Sequence, residues 1–176
     1  RIGISRRLVK TVTYAFLYGA GDQKIGLSYD SQLSSTKAKR KGKEIKEAFI
    51  DAIDGLDQLL VAIKKAAEKG SVKAIDGRKV LLDSPHKALN YLLQSSAGVI
   101  AKRWMVINDK QVKELKLCCS QLGFIHDELQ FESHPEHAND LRTSLESASL
   151  LAGEYYGLRI PIESESSIGN NWAETH

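Results

Sequence analysis

Cysteine, proline and long apolar runs are all scarce in this chain of 176 residues. Its two cysteines, Cys118 and Cys119, are adjacent, which suits neither a disulfide framework nor a zinc site and favours a reducing compartment. No run approaches the roughly 20 apolar residues that a membrane-spanning helix needs, and the first residues lack the pattern of a signal peptide. These absences argue against a disulfide-rich secreted protein and a helical membrane protein, and we expect a cytoplasmic location.

The composition is that of a globular protein, with 42% hydrophobic and 27% charged residues. The formal net charge of +3 hides a denser basic run at Lys37–Lys46, "KAKRKGKEIK", where six residues are basic and one is acidic. Such a run favours a polyanionic partner such as nucleic acid, although a solvated helix start has the same composition. The chain begins with Arg1 just before a patterned helix, so we expect it to be a piece of a longer polypeptide.

Helical periodicity occurs along much of the chain. The first helix, "RRLVKTVTYAFLYG", is predicted to be capped by Ser5 and to end at Gly19, and its apolar stripe consists of Leu8, Val12, Ala15 and Phe16. Further helices are predicted at about Lys24–Tyr29, from Gly42 to Gly70 with a bend at Gly55, from Pro85 to Asn108, and from "SHPEHAND" to Gly157.

Three segments have the character of β-strands. A hairpin is predicted at 72–82 with its turn at Asp76-Gly77, and a second at 117–132 with a tight turn at the acidic pair of "IHDELQF". A last strand is predicted in "LRIPIESE", with Leu158, Ile160 and Ile162 facing inward. Helices followed by a small antiparallel sheet that is backed by helices predict an α+β fold.

Two groups of residues indicate chemistry. Arg6, Lys10, Tyr14 and Tyr18 lie four apart on the first helix and form a ridge opposite its apolar stripe. Cations followed by aromatic rings match a triphosphate followed by a base. The alternative is a surface helix whose basic residues are solvated and whose tyrosines pack in the core.

The second group is the acidic doublet Asp127-Glu128 at the predicted hairpin tip. Two carboxylates there favour Mg²⁺, which binds hard oxygen ligands and often substrate phosphates. A hairpin tip that is acidic only because it is exposed is the alternative. The histidines of "HPEH", His134 and His137, have no third ligand nearby in sequence and are a weak zinc signal.

Taken together, these segments resemble family A DNA polymerases, and among them the replicative type of T-odd phages. "RRLVKTVTYAFLYGAGDQKIG" is similar to motif B and "IHDELQF" to motif C. "DGRKVLLDSPHKALNYLLQSSAG" is similar to the hairpin and helix between them, and "GNNWAETH" to the phage-type carboxyl terminus. The resemblance implies a helical fingers subdomain at 1–70 and a partial palm subdomain at 71–176, with motif B at 5–19.

The resemblance also implies roles for single residues. Arg6 and Lys10 would hold the incoming triphosphate, Tyr14 would lie beside the nucleotide sugar, and Asp127 would bind metal with Glu128 as its acidic neighbour. Lys10, Asp127 and Glu128 would be the catalytic residues, and two Mg²⁺ ions the cofactors. Residues implied to contact template or primer DNA are Tyr18, Gly19, Arg78, His86, Asn90, Gln94 and His126.

The function implied is transfer of a deoxynucleotide from a dNTP to a primer 3′-hydroxyl by two-metal phosphoryl transfer. Its partners would be primer-template DNA, the dNTP, the rest of the polymerase chain with motif A and thumb, and a processivity factor bound by the thumb. The Asp-Tyr-Ser segment of motif A is absent from these residues, so we expect this piece alone to be inactive. The alternatives are a catalytically inactive DNA-binding remnant, one subunit of a split polymerase, or a small basic interaction module.

Overall fold

The structure is a computed structural model that describes residues 6–176, apart from the side chains of residues 7 and 8. The predicted cap Ser5 and the side chain of Leu8 therefore lie outside the described part. The helices are α1 (Arg6–Leu17), α2 (Asp22–Tyr29), α3 (Ser35–Asp51), α4 (Leu56–Glu68), α5 (Ala88–Glu114) and α6 (Ala138–Tyr155). The strands are β1 (Ser71–Lys73), β2 (Lys79–Leu81), β3 (Cys119–Ile125) and β4 (Glu128–Ser133), which form two antiparallel pairs. The α+β prediction is confirmed.

The chain divides into two compact units, Arg1–Ser95 and Ser96–His176, and the boundary falls within α5. The predicted division into fingers and palm subdomains is a functional one and stays a prediction. The buried core of the first unit brings together residues from α1, α4, β1 and the start of α5: Phe16, Leu56, Ile63, Ala67, Val72, Ala88 and Leu89.

Helix α1 ends as its sequence predicts. Gly19 adopts a left-handed conformation with φ of 73°. The Gly19 N–H donates to the Phe16 carbonyl at 2.9 Å, and the Ala20 N–H donates to the Ala15 carbonyl at 2.8 Å. This pair of bonds is the Schellman arrangement, which satisfies the last carbonyls of a helix and turns the chain away from its axis.

The single helix predicted from Gly42 to Gly70 is wrong. Helix α3 begins seven residues before Gly42, and α4 is a separate helix that begins at Leu56. Gly55 lies between the two with φ of 81°, a conformation that an α-helix cannot contain. The sequence predicts a bend at Gly55, whereas α3 already ends at Asp51 and Gly55 is the N-cap of α4.

Helices α2 and α3 pack unusually close together. A Cβ atom at Gly26 would overlap the carbonyl oxygen of Ala38, and one at Gly42 would overlap the carbonyl oxygen of Asp22. Ile25 and Ala38 are fully buried in this contact. Two glycines thus let the two backbones touch, which explains why Gly42 lies inside a helix despite its low helix propensity.

The first hairpin is confirmed. Val72 pairs with Val80 across strands β1 and β2. The predicted turn residue Gly77 has φ of 82°. Helix α5, preceded by a 3-10 turn at Pro85–Lys87, continues to Glu114, six residues beyond its predicted end.

The second unit is built on α5 and α6. Buried residues recur on one face of α6 at Leu141, Leu145, Ala148 and Ala152. The Trp104 indole N–H donates to the Leu145 carbonyl at 2.8 Å, and the Ser144 hydroxyl donates to Oδ1 of the buried Asn108 at 2.9 Å. Directional bonds therefore supplement the apolar contact between the two helices.

The strand predicted in "LRIPIESE" is wrong, because residues 158–168 contain no β-strand. Ile162 instead packs against the backbone of Gly153 on α6, and Ile160 is 74% exposed. The Ser164 hydroxyl donates to the Ser149 hydroxyl at 2.9 Å, and the Ser166 N–H donates to Glu146 at 3.2 Å. The alternating apolar and polar residues of this segment therefore pack on a helix and do not pair with another strand.

None of the helices that the structure describes has both the length and the apolar character that crossing a bilayer requires.

Candidate functional site

The exposed face of α1 carries a continuous row of side chains. Arg6 and Lys10 are exposed, and Tyr14 and Tyr18 are 48% and 55% exposed. The Lys10 ammonium lies 5.8 Å from the centre of the Tyr14 ring, and the Tyr14 and Tyr18 rings are 6.3 Å apart. Val12 and Phe16 are buried on the opposite side. The ridge predicted from the sequence therefore exists, and its tyrosines do not pack in the core.

The end of this ridge meets the start of α5. The Gln94 side-chain amide donates to the Tyr18 hydroxyl at 3.2 Å. A Cβ atom at Gly19 would lie 2.6 Å from the carbonyl oxygen of His86. Four of the seven residues predicted to contact DNA are thereby gathered at one place in the first unit.

Two further predicted DNA contacts lie in the same unit. Asn90 is half-buried and lies one helical turn before the exposed Gln94 on α5. Arg78 is in the β1–β2 hairpin, where its guanidinium donates to the Asp76 carboxylate from Nε at 2.7 Å and approaches it from Nη2 at 2.6 Å. That bond lowers the pKa of Asp76, and Arg78 reaches a DNA strand only if its fork turns away from Asp76.

The acidic doublet lies at the tip of the β3–β4 hairpin in the second unit, but the turn comes one residue earlier than predicted because Glu128 is the first residue of β4. Ile125 pairs with Glu128, so the loop consists of His126 and Asp127 alone. His126 has φ of 56°. Two-residue hairpin loops favour positive φ at their first position, usually with glycine. A histidine held there carries backbone strain, and such strain clusters at functional sites.

The two carboxylates of the doublet have different surroundings. Asp127 is exposed, whereas Glu128 is half-buried and bonded. Oε1 of Glu128 accepts a hydrogen bond from the Gln130 amide and lies 2.8 Å from Nε2 of His176. The Gln130 bond, and after it the His176 contact, lower the pKa of Glu128 below its ordinary 4.5. Glu128 is thus held ionised and in place.

The contact between His176 and Glu128 is one that sequence reasoning missed. Nδ1 of His176 lies 3.0 Å from the Trp172 carbonyl. The centres of the His176 imidazole and the Trp172 indole are 4.3 Å apart. That carbonyl, followed by the Glu128 carboxylate, raises the pKa of His176 above 6.5. The resemblance of "GNNWAETH" to phage termini was the available signal, but it assigned the histidine no contact.

The segment around His176 is folded onto itself. Glu174 accepts hydrogen bonds from the Asn170 backbone at 2.7 Å and from the Asn171 side chain at 2.8 Å. This segment, the β4 strand and helices α5 and α6 line a cavity of about 820 Å³ that includes Asp127 and Glu128. The doublet therefore lies at the wall of a space large enough for a nucleotide-sized ligand.

A metal at the doublet would have few protein ligands. Within residues 6–176, no group of three or more His, Cys, Asp or Glu side chains is gathered to hold an ion. Mg²⁺ is commonly held by one or two carboxylates together with waters and substrate phosphates. The exposed Asp127, beside an ionised Glu128, fits that incomplete type of site.

The remaining polar candidates have structural contacts. Nδ1 of His137 accepts a hydrogen bond from the Cys118 N–H at 2.7 Å, and His134 lies 3.8 Å from Glu136. Cys118 and Cys119 are free thiols.

Comparison with known proteins identifies the class. The model of DNA polymerase family A matches residues 3–174, and the chain belongs to that family. It is 31% identical to the DNA-directed DNA polymerase of Enterobacteria phage T3 and 30% identical to that of Escherichia phage T7, over 98% of this chain in both cases. It spans about 27% of the length of each of those relatives.

A solved structure supports the same fold. The chain is similar to the POL domain of Pol1 from M. smegmatis, in a complex with DNA primer-template and dNTP. The TM-score is 0.75 at 27% identity, over 90% of this chain and 29% of that one.

Proposed function

We propose that this chain carries the nucleotide-binding ridge and one metal-binding carboxylate of a template-directed DNA polymerase. The observation that carries the proposal is the exposed row from Lys10 to Tyr18, which ends against the start of α5. In a protein of DNA polymerase family A, this row suits a nucleoside triphosphate on a template base. The fold similarity to a polymerase domain in complex with primer-template DNA and dNTP supports the same substrates.

The ridge would bind the incoming dNTP along its length. Arg6 and Lys10 would hold the triphosphate oxygens, since a guanidinium fork and an ammonium are the usual phosphate ligands. Tyr14 would lie against the sugar. Tyr18 would stack on the template base and leave it when a correct pair forms, so that closure of the site selects the nucleotide.

Asp127 would bind metal for the phosphoryl transfer step. The primer 3′-oxygen forms a bond to the α-phosphorus, the bond from that phosphorus to the β-phosphate oxygen breaks, and pyrophosphate leaves. When bound, Mg²⁺ would stabilise charge on the attacking and leaving oxygens, with Asp127 as its ligand from this chain. Glu128, fixed by Gln130 and His176, would keep the site acidic, while Lys10 would neutralise charge on the pyrophosphate.

Several residues would contact primer-template DNA. Gly19, His86, Asn90 and Gln94 would contact it beside Tyr18, with Arg78 on the template strand and His126 near the primer end. Contacts of this kind go mainly to phosphate and sugar, so binding should be largely independent of sequence and weakened by salt.

The test replaces the corresponding segment of the phage T7 polymerase with this chain and measures primer extension with Mg²⁺. We expect the chimera to extend primers. D127N and K10A, which remove a metal ligand and a phosphate ligand, should each lower kcat by about 10²–10³-fold.

Matched controls are D109N and K110A, which change exposed residues of α5. They should retain the activity of the parent chimera. Full extension by the D127N chimera would contradict the proposed metal role. Binding of primer-template DNA with no extension by the parent chimera would instead favour a DNA-binding remnant.

A further inference from the structure

Helix α3 has its charges arranged against its own dipole. Residues 35–43, "STKAKRKGK", contain five basic residues and no acidic one, whereas residues 44–51, "EIKEAFID", contain three acidic residues and one basic. A helix carries partial positive charge at its N-terminus and partial negative charge at its C-terminus. Cations at the start of α3 are therefore unfavourable for the helix itself, and a bound anion would offset them.

Some of the basic residues of α3 have partners inside the fold. Lys41 lies 3.0 Å from Glu44 and 5.2 Å from the centre of the Tyr29 ring. Lys43 lies 3.7 Å from Glu47, and Lys46 lies 3.7 Å from Asp22. These three side chains are accounted for by local structure.

The other three basic residues of α3 have no ion pair within the described part of the chain. Lys37, Lys39 and Arg40, here called the α3 basic end, are exposed. In residues 6–176, no carboxylate lies within ion-pair distance of any of them. The preceding loop contains one carboxylate, Asp30, whose Oδ1 accepts a hydrogen bond from the Gln32 N–H at 2.9 Å.

The backbone beneath the α3 basic end is rigidly placed. Ala38, which lies between Lys37 and Lys39 in the sequence, is fully buried, and its backbone lies against Gly26 of α2. The helix cannot rotate to give its cations other partners without separating from α2. Three long cationic side chains therefore project from a fixed segment of backbone.

The surroundings favour a nucleic-acid backbone over a protein partner. Between Gly19 and Ala52 the structure contains no exposed large hydrophobic side chain. Protein interfaces have an apolar or aromatic core within a polar rim, whereas phosphate contacts need cations alone. The same unit also exposes Tyr14 and Tyr18, and cations together with exposed aromatic rings are typical of single-strand binding.

We propose that the α3 basic end binds the phosphate backbone of single-stranded template DNA. The proposal rests on the proposed function and deepens it, because it adds a surface on α3 to the ridge on α1. The three cations replace counterions on successive phosphates, so the surface contributes affinity without reading sequence.

The test measures binding of the full chain to fluorescent primer-template DNA by anisotropy. One DNA carries a template overhang of about ten nucleotides, and the other is the same duplex with a blunt end. The variant is K37Q/K39Q/R40Q. The matched control, K64Q/K65Q/K69Q, removes three exposed lysines from α4 and its C-cap in the same unit.

We expect K37Q/K39Q/R40Q to lower the affinity for overhang DNA by about tenfold at low salt. The slope of log Kd against log salt should fall by about 2, since each single-strand phosphate contact accounts for about 0.7. Affinity for blunt DNA and the affinities of the control should stay within about twofold of the parent. The melting temperature without DNA should stay level or rise, because the removed cations oppose the helix dipole.

Other outcomes overturn the proposal. Equal affinity of parent and variant for overhang DNA would show that the α3 basic end does not bind DNA. In that case, binding of a polyglutamate peptide by the parent but not by the variant would indicate an acidic protein as the partner. Equal losses on overhang and blunt DNA indicate a duplex contact, and equal losses in variant and control indicate an effect of net charge alone. A parent that binds neither DNA overturns the proposed function as well.

Discussion

At the scale of single residues, helix α1 and the β3–β4 hairpin hold their candidate side chains in different ways. Lys10, Tyr14 and Tyr18 are exposed on one face of α1 because a spacing of four fixes their placement on any helix. The contact of Glu128 with His176 joins residues 48 positions apart, and no local pattern encodes it. The left-handed backbone of His126 is likewise imposed by the hairpin and not by the residue type.

The Asp76–Arg78 pair gives a pH prediction at this scale. The Arg78 side chain lowers the pKa of Asp76 below its ordinary 3.8. A lower pKa in the folded than in the unfolded state means that the stabilisation is present above pH 3.8 and is lost as pH falls through the folded pKa. We expect an NMR titration of the Asp76 carboxyl to have its midpoint below 3.8.

The matched variant for this titration is R78Q, which removes the guanidinium and keeps a side chain of similar length. It should return the Asp76 midpoint towards 3.8. A parent midpoint at or above 3.8 would show that the pair does not persist in solution.

At the scale of elements, the turn of the first hairpin and the end of α1 follow from the local sequence, whereas the contacts between elements do not. Gly19 and Gly77 have the left-handed conformations that their contexts indicate. The sequence predicts a helix start at Gly42, yet Gly42 lies inside α3, where a Cβ atom would overlap the carbonyl oxygen of Asp22 in α2. Similarly, the alternation after Gly157 predicts a strand, but the segment packs on α6.

The packing of α2 on α3 yields a stability prediction. An alanine in place of an exposed mid-helix glycine normally stabilises a protein by about 0.5–1 kcal/mol. G42A should instead lower the free energy of unfolding by about 1–3 kcal/mol, the cost of overpacking, because its methyl group would overlap the Asp22 carbonyl. Urea denaturation of the purified chain measures the difference.

The control for G42A is G98A in the interior of α5, where the added methyl group meets nothing within 4 Å apart from its chain neighbours and the backbone of its own helix. G98A should leave stability unchanged or raise it. A G42A variant as stable as G98A would show that α2 and α3 separate readily.

At the scale of the whole molecule, the number of metal ligands among the described residues decides whether the chain can catalyse the reaction alone. Among residues 6–176, Asp127 is the metal ligand that we propose, and no cluster of three or more candidate ligand side chains accompanies it. Phosphoryl transfer by two metal ions requires that attacking and leaving oxygens both be stabilised. A single exposed carboxylate with an engaged neighbour does not supply enough ligands for that.

We therefore expect the isolated 176-residue chain to bind primer-template DNA but not to extend the primer. Gel analysis of labelled primers after incubation with dNTPs and Mg²⁺ measures extension, with the chimera as the positive control. Extension by the isolated chain that is lost in D127N would show that these residues suffice for catalysis.

In the close contact of α2 with α3, the residues that determine the backbone structure are different from those that carry the surface charge. The backbone is fixed by buried contacts of Gly26, Ala38 and Gly42, which substitutions at the surface do not alter. The side chains of Lys37, Lys39 and Arg40 are exposed to solvent. Substitutions at those three positions can therefore retune the attraction for polyanions stepwise and leave the scaffold as it is. If the α3 basic end binds DNA as proposed, variants with graded affinity for DNA should be accessible from one unchanged framework.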